Sequence, residues 1–168
     1  MTPRIMNHYK GGVSKDHLIC CSAHFISYDG DQCEPLHGHN YRASVEVDGP
    51  LDENQYVFDF IALTKHAKAI TDELDHLMML PTGNPVIKVE EREASVHVQY
   101  REKEWIFPRD NCILLPIENT TAELLAHYIG ERLLQALKSE HDFVPSVLRV
   151  EVEEGVGQSA TCEWHLSE

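Results

Sequence analysis

Cys33-Glu34-Pro35-Leu36-His37-Gly38-His39-Asn40-Tyr41-Arg42-Ala43-Ser44-Val45-Glu46-Val47 carries a structural signal and a chemical one in a single stretch. Tyr41, Ala43, Val45 and Val47 alternate with polar residues at the period of a half-buried strand. Gly49-Pro50 ends that run. Just upstream, His37 and His39 stand at i and i+2, so on extended chain both imidazoles point the same way. Two imidazoles on one face can reach one cation, and Gly38 is expected to leave space between them.

A third ligand is at hand in His24. It lies on the preceding strand, read over roughly Lys15 to Tyr28, and an antiparallel pairing would set it beside the pair. Three neutral imidazoles without a fourth protein ligand describe a catalytic zinc site with an open position. A surface accident is the plain alternative for a short His-x-His motif. A cupin-type iron site would want a glutamate shortly after the second histidine, where Ala43 and Ser44 follow instead. The chain carries 11 histidines, an excess that itself points to metal or acid–base chemistry.

Other residues qualify as candidates on their chemistry. Cys33 sits in a polar loop four residues before His37, where a nearby zinc or imidazolium would lower its pKa. Asp75-His76 closes the first helix, and an aspartate can orient an imidazole for proton transfer; a helix-end histidine meeting the dipole reads equally well. Glu154 shares a strand face with Leu148, Val150 and Val152, where a carboxylate needs a partner. A guanidine-like heterocycle edge would serve, and so would a structural salt bridge.

The elements follow in the order strand, strand, helix, irregular middle, helix, strand, strand. Asp59 is an N-cap candidate for a first helix whose face is Leu63, Ala67, Ile70 and Leu74. Thr120-Thr121-Ala122-Glu123 fits a capping box for a second, with Leu124, Leu125, Tyr128, Ile129, Leu133 and Leu137 as its stripe. The last strands are expected over Ser146–Glu154 and Gln158–His165. Between the helices Val86–Glu90, Val96–Tyr100 and Trp105–Phe107 read as short strands leaving the main sheet.

Composition narrows the partners. At 168 residues, 42% hydrophobic and 25% charged, this is the size and make-up of one ordinary globular domain. A net charge of −14 argues against nucleic acid. The longest apolar runs, such as Ile113–Ile117, fall far short of the ~20 residues of a membrane helix. Five cysteines make a closed disulfide framework implausible; Cys20, Cys112 and Cys162 sit among apolar neighbours as small core residues. A cytoplasmic protein is expected.

Taken in order, these pieces resemble the 6-pyruvoyl-tetrahydropterin synthase and 6-carboxytetrahydropterin synthase family. Ser22-Ala23-His24-Phe25, Cys33-x-x-x-His37-Gly38-His39-Asn40-Tyr41, Leu51-Asp52-Glu53, Val57-Phe58-Asp59-Phe60, Leu74-Asp75-His76, Thr121-Ala122-Glu123-Leu124 and Glu154 with Ala160 carry the resemblance. It covers nearly the whole of 1–168, read as a single domain with a β-rich insertion at about 81–115. The resemblance implies an α+β tunnelling fold, an antiparallel sheet with two helices on one face in ββααββ order. It implies subunits assembled as trimers or hexamers, with sites at their interfaces. It implies zinc on His24, His37 and His39, proton transfer by Cys33 and by His76 oriented by Asp75, and a pterin edge held by Glu154. Thr121 and Glu123 would help line that pocket, although capping explains both equally well. The substrate implied is 7,8-dihydroneopterin triphosphate. Three residues between cysteine and His-Gly-His resemble the branch that yields 6-carboxy-5,6,7,8-tetrahydropterin and acetaldehyde on the queuosine route. The 6-pyruvoyl branch, and a non-catalytic pterin-binding zinc protein, are the alternatives. For the insertion, a surface or oligomer role is expected before a role over the site.

Overall fold

A computed structural model of the protein describes residues 7–14, 16 and 18–166. Lys15, the expected start of the first strand, lies outside them. The chain opens with β1 (Tyr9–Val13), β2 (Ile19–His24), the short β3 (Ser27–Tyr28) and β4 (Gln32–Cys33), and the long β5 (His37–Gly49). Helix α1 (Phe60–Asp72) follows, then β6 (Met78–Pro81), β7 (Lys88–Glu91), β8 (Ser95–Tyr100), β9 (Lys103–Pro108) and β10 (Cys112–Leu115). Helix α2 (Ala122–His141), β11 (Val147–Gly155) and β12 (Gln158–His165) complete it. The single first strand expected from Lys15 to Tyr28 is therefore two separate strands, β2 and β3.

The main sheet runs β10-β6-β2-β5-β11-β12, with β1 also on β5. Its register sets Cys20 opposite Tyr41, Ser22 opposite His39 and His24 opposite His37. These residues share one face with Ala43, Val45, Val47, Leu148, Val150 and Val152. Both helices cover that face through Leu63, Ala67 and Ile70 of α1 and Leu125, Ile129, Leu133 and Leu137 of α2. Each such leucine contributes about 1.5–3 kcal/mol by burial.

The sheet is mixed where a wholly antiparallel one was expected. β6 pairs in parallel with both β2 and β10. Parallel neighbours need a long crossover, and the segment between β6 and β10 supplies it with a three-stranded sheet, β7-β8-β9, in place of a helix. So the segment expected at about 81–115 begins and ends within main-sheet strands. The small sheet covers the second face locally, over Phe25, Met78, Leu80, Ile87, Val96 and Val98. With Met79 facing the helices, β6 is buried on both faces.

Helix starts depend on single side chains. Asp59 Oδ1 accepts from the amides of Ile61 and Ala62. Thr121 caps α2 by accepting from the Leu124 amide at 3.4 Å. That start is one residue later than the capping box requires. Glu123 is therefore at the second helical position, and its carboxylate is turned toward a cavity. Among the described residues no helix is long and apolar enough to cross a membrane.

Candidate active site

Strand pairing assembles the three histidines. The ligand nitrogens of His24, His37 and His39 lie within 4.8 Å of one another. Ring centroids are 4.7 Å apart for His24–His37, 5.2 Å for His24–His39 and 4.8 Å for His37–His39. Gly38 does not act by leaving room between the rings, as expected from the sequence. Its hydrogen faces the other side, where a Cβ would meet the Ser22 carbonyl at 3.1 Å. The glycine lets two strands approach.

Hydrogen bonds fix two tautomers. His24 Nδ1 donates to the Thr120 carbonyl at 3.0 Å, with the Thr120 hydroxyl 3.2 Å away. His37 Nδ1 donates to the Pro35 carbonyl at 2.8 Å. A carbonyl only accepts, so each Nδ1 carries its proton and each Nε2 is left toward its neighbours. Metal-ligating imidazoles are commonly held this way. His24 is 1% exposed, and its Nε2 has no hydrogen-bond partner. Glu154 Oε1 lies 3.2 Å from that nitrogen and 3.4 Å from His39 Nε2, but misaligned with the former. A buried nitrogen lone pair facing a carboxylate oxygen is repulsive unless a proton or a metal ion sits between them. The residues fit a metal.

Electrostatics divide the roles. With a proton between them, the adjoining His24 edge holds Glu154 below the usual carboxylate range, against the opposing effect of burial. Burial lowers the His39 imidazolium pKa, outweighing Glu154. Tyr41 Oη donates to Glu154 Oε1 at 3.5 Å, and burial pushes that phenol upward.

A cavity of about 390 Å³ opens beside the triad, lined by His37, His39, Glu34, Glu123, Glu154 and Ala160 among others. The structure thus brings together His24, His37, His39, Glu154 and Glu123. Thr121 does not line this cavity; its hydroxyl is engaged in capping. Glu34 and Thr120 were not singled out in the sequence as site residues. Glu34 Oε2 reaches to 3.9 Å from His37 Nε2, and its position three residues before His37 was the available signal.

Cys33, Asp75 and His76 are placed elsewhere. Cys33 is half-buried against the Phe25 cluster. Its thiol is pushed up by burial, with Lys103 lowering and Glu34 raising it. The lowered thiol expected from the sequence depends on a zinc or imidazolium beside it, and the groups facing Cys33 here are Lys103 and Glu34. Asp75-His76 sits in the turn before β6, after α1 has ended. Asp75 Oδ1 accepts from the Cys21 amide at 2.7 Å and Oδ2 lies 2.8 Å from His76 Nδ1. The Cys21 amide, helped by His76, sets the Asp75 carboxyl below its usual range against the opposing effect of burial. His76 has φ 61, in the left-handed region, with its amide donating to the Cys21 carbonyl at 2.6 Å. A non-glycine residue held there stores local strain, a recurring feature of functional positions. His76 is 80% exposed and borders a second cavity of about 370 Å³ with Cys21, Gly38, Phe107 and Asn111. Cys21, Ala23 and Gly38 belong to the sheet face away from the triad, so this cavity is on that side. Phe107 and Asn111 come from the inserted segment, which thus walls the Asp75-His76 cavity and is not surface alone.

Comparison with known proteins agrees with this geometry. The family model of 6-pyruvoyl tetrahydropterin synthase matches residues 13–164. A protein of Methanocaldococcus jannaschii, provisionally named 6-carboxy-5,6,7,8-tetrahydropterin synthase, is 35% identical over 146 residues, 86% of this chain and 89% of its own. The solved 6-pyruvoyl tetrahydropterin synthase of Plasmodium falciparum superposes with a TM-score of 0.85 at 31% identity, covering 95% of this chain and 99% of its own. That of Plasmodium vivax, solved as a catalytic-residue variant with glutamate replaced by alanine, gives 0.87 at 26% identity, covering 96% and 100%. The chain belongs to the 6-pyruvoyl tetrahydropterin synthase family.

Proposed function

We propose that the protein is a zinc-dependent lyase that converts 7,8-dihydroneopterin triphosphate to 6-carboxy-5,6,7,8-tetrahydropterin, releasing acetaldehyde and triphosphate, as on the queuosine route. The observation that carries this reading is the convergence of His24, His37 and His39 at a cavity edged by Glu154. Bound zinc would supply a Lewis acid that acidifies side-chain hydroxyls of the substrate. Thr120 and Pro35 orient two of its imidazoles. Glu154, kept ionised, accepts two hydrogen bonds from the amino-pyrimidine edge of the pterin. Asp75 holds the His76 ring so that its free nitrogen can give or take a proton.

Cys33 is the proton acceptor expected from the sequence, and its raised thiol must be lowered on assembly to act as one. Glu34 already faces the triad cavity, and a glutamate is the catalytic residue replaced in the Plasmodium vivax relative. Glu34 is therefore the second acceptor in this reading. Replacing Cys33 with Ala and Glu34 with Gln separately, with zinc content as control, assigns the proton step to whichever change abolishes turnover.

The separation of His76 from the triad cavity supports a site completed between copies, in a trimer or hexamer. Five free cysteines support a reducing, cytoplasmic setting. The 6-pyruvoyl product is the second reading, favoured by the names of the superposable Plasmodium enzymes. Zinc-loaded protein incubated with 7,8-dihydroneopterin triphosphate, followed by mass spectrometry, decides. The 6-carboxy pterin with acetaldehyde is expected. The 6-pyruvoyl pterin without acetaldehyde replaces the first reading by the second, and an inert but zinc-bound protein refutes both in favour of pterin binding alone.

A further inference from the structure

We propose a second metal site, built by His66, Glu140 and His141, that takes a first-row transition dication such as zinc and clips α1 to the end of α2. It is distinct from the triad. The triad leans on Thr120, just before α2, whereas His141 is the last residue of that helix. At 1.5 Å per residue the two ends lie about 30 Å apart.

Three observations converge. The ligand atoms of His66, Glu140 and His141 lie within 4.8 Å of one another. His66 is 7% exposed, and its Nε2 is 2.8 Å from His141 Nε2, with Glu140 Oε2 3.8 Å away. Two imidazole nitrogens and a carboxylate oxygen therefore point at one spot. That donor set suits zinc and its neighbours and not the oxygen-seeking magnesium or calcium. Tetrahedral Zn–N bonds of about 2.05 Å place ligand nitrogens about 3.3 Å apart, so the imidazoles need to part by only about half an ångström.

The surroundings favour a cation. The C-terminal turn of α2 ends here, and the negative end of a helix dipole stabilises positive charge. Phe58 packs edge-on to His141 with centroids 5.2 Å apart and stacks on Phe143 at 4.5 Å, which fixes the His141 ring from one side. His141, Phe58 and Phe143 together border a cavity of about 480 Å³ with Asp52, Tyr56 and Asp59. That cavity reaches His141, one of the three ligands, and gives water access to it.

The test is the zinc stoichiometry of the full-length protein, loaded with zinc chloride, desalted and measured by plasma mass spectrometry. Wild type is expected to hold roughly two ions per chain and His141→Ala roughly one. His141 is exposed, so its loss leaves the core intact. In a His37→Ala background, where the triad is broken, zinc should still raise the melting temperature, and the added His141→Ala change should abolish that rise. Magnesium should produce none. Equal zinc content in wild type and His141→Ala, or a zinc-induced rise that survives in the double variant, overturns the second site whatever the triad binds.

Discussion

Gly38→Ala would put one methyl on the face of β5 away from the imidazoles, yet the metal site should register it. The new Cβ would stand 3.1 Å from the Ser22 carbonyl oxygen and 3.6 Å from Ala23 Cα. Ordinary contact begins at 3.4 Å, so β5 must withdraw from β2 by 3.4 − 3.1 = 0.3 Å. His24 is carried by β2, and His37 and His39 by β5, so the triad opens by that amount. Metal–ligand distances tolerate about 0.2 Å. Overpacking costs about 1–3 kcal/mol, offset by about 0.5–1 kcal/mol from replacing glycine in a strand. The apo protein should therefore melt no more than about 10 °C lower. Zinc affinity should fall about 10- to 100-fold, as when the partners that orient metal ligands are removed. Competition against a chromophoric chelator reads the affinity, and circular dichroism of the apo protein reads the fold. A melting temperature that drops while zinc affinity stays within about threefold would refute the idea that strand approach sets the ligand geometry.

Gly130 lies in α2 where an added Cβ would sit 2.0 Å from the Trp164 ring. Overpacking of about 1–3 kcal/mol set against a helix-propensity gain of about 1 kcal/mol leaves Gly130→Ala a net cost of up to about 2 kcal/mol, and a raised melting temperature would contradict this. Glu73 is held below the usual carboxylate range by the Arg132 guanidinium. A depressed folded pKa stabilises above the unfolded value of about 4.3 and is lost as pH falls through the folded one, so the small urea-midpoint gap between wild type and Arg132→Met should close between about pH 5 and 3. If the site is shared between copies, co-assembling His37→Ala with His76→Ala subunits, each inactive alone, should restore activity at about a quarter of the sites. No recovery in verified mixed oligomers would place His76 and the triad in the same subunit's site.

Much of the fold was legible because period and caps agreed. Val45 and Val47 alternate at a strand's period, Leu63, Ala67 and Ile70 at a helix's, and Asp59 marks a helix start that its carboxylate does cap. The triad was legible because His37 and His39 are local and His24 needs only one antiparallel pairing. What escaped the reading depends on three dimensions. The parallel pairing of β6 with β10 joins segments that no short-range pattern connects. Phe25 and His24 are adjacent and both fully buried, which makes sense only once the small sheet covers the second face. The start of α2 turned on which of two threonines caps it, and the choice frees Glu123 and leaves Thr120 to orient His24.

The acidic character of the triad cavity constrains where the substrate's charge can go. Glu34, Glu123 and Glu154 border it, and among the described residues no lysine or arginine lines it. A triphosphate placed there would meet three acidic side chains, and one divalent ion together with the N-terminal dipole of α2 offsets that only in part. The same cavity suits the amino-pyrimidine end of a pterin, which offers donors that carboxylates accept. In the proposed reading the pterin ring and its hydroxylated side chain sit against Glu154 and the triad, and the triphosphate projects out of this subunit's cavity. Its basic partners would then lie on another face or on another copy. The proposed sharing of a site between copies meets the same demand from His76, which opens on the opposite side of the sheet, and both features follow from one cause: a sheet that presents the three histidines to its helices and Asp75-His76 to its far side.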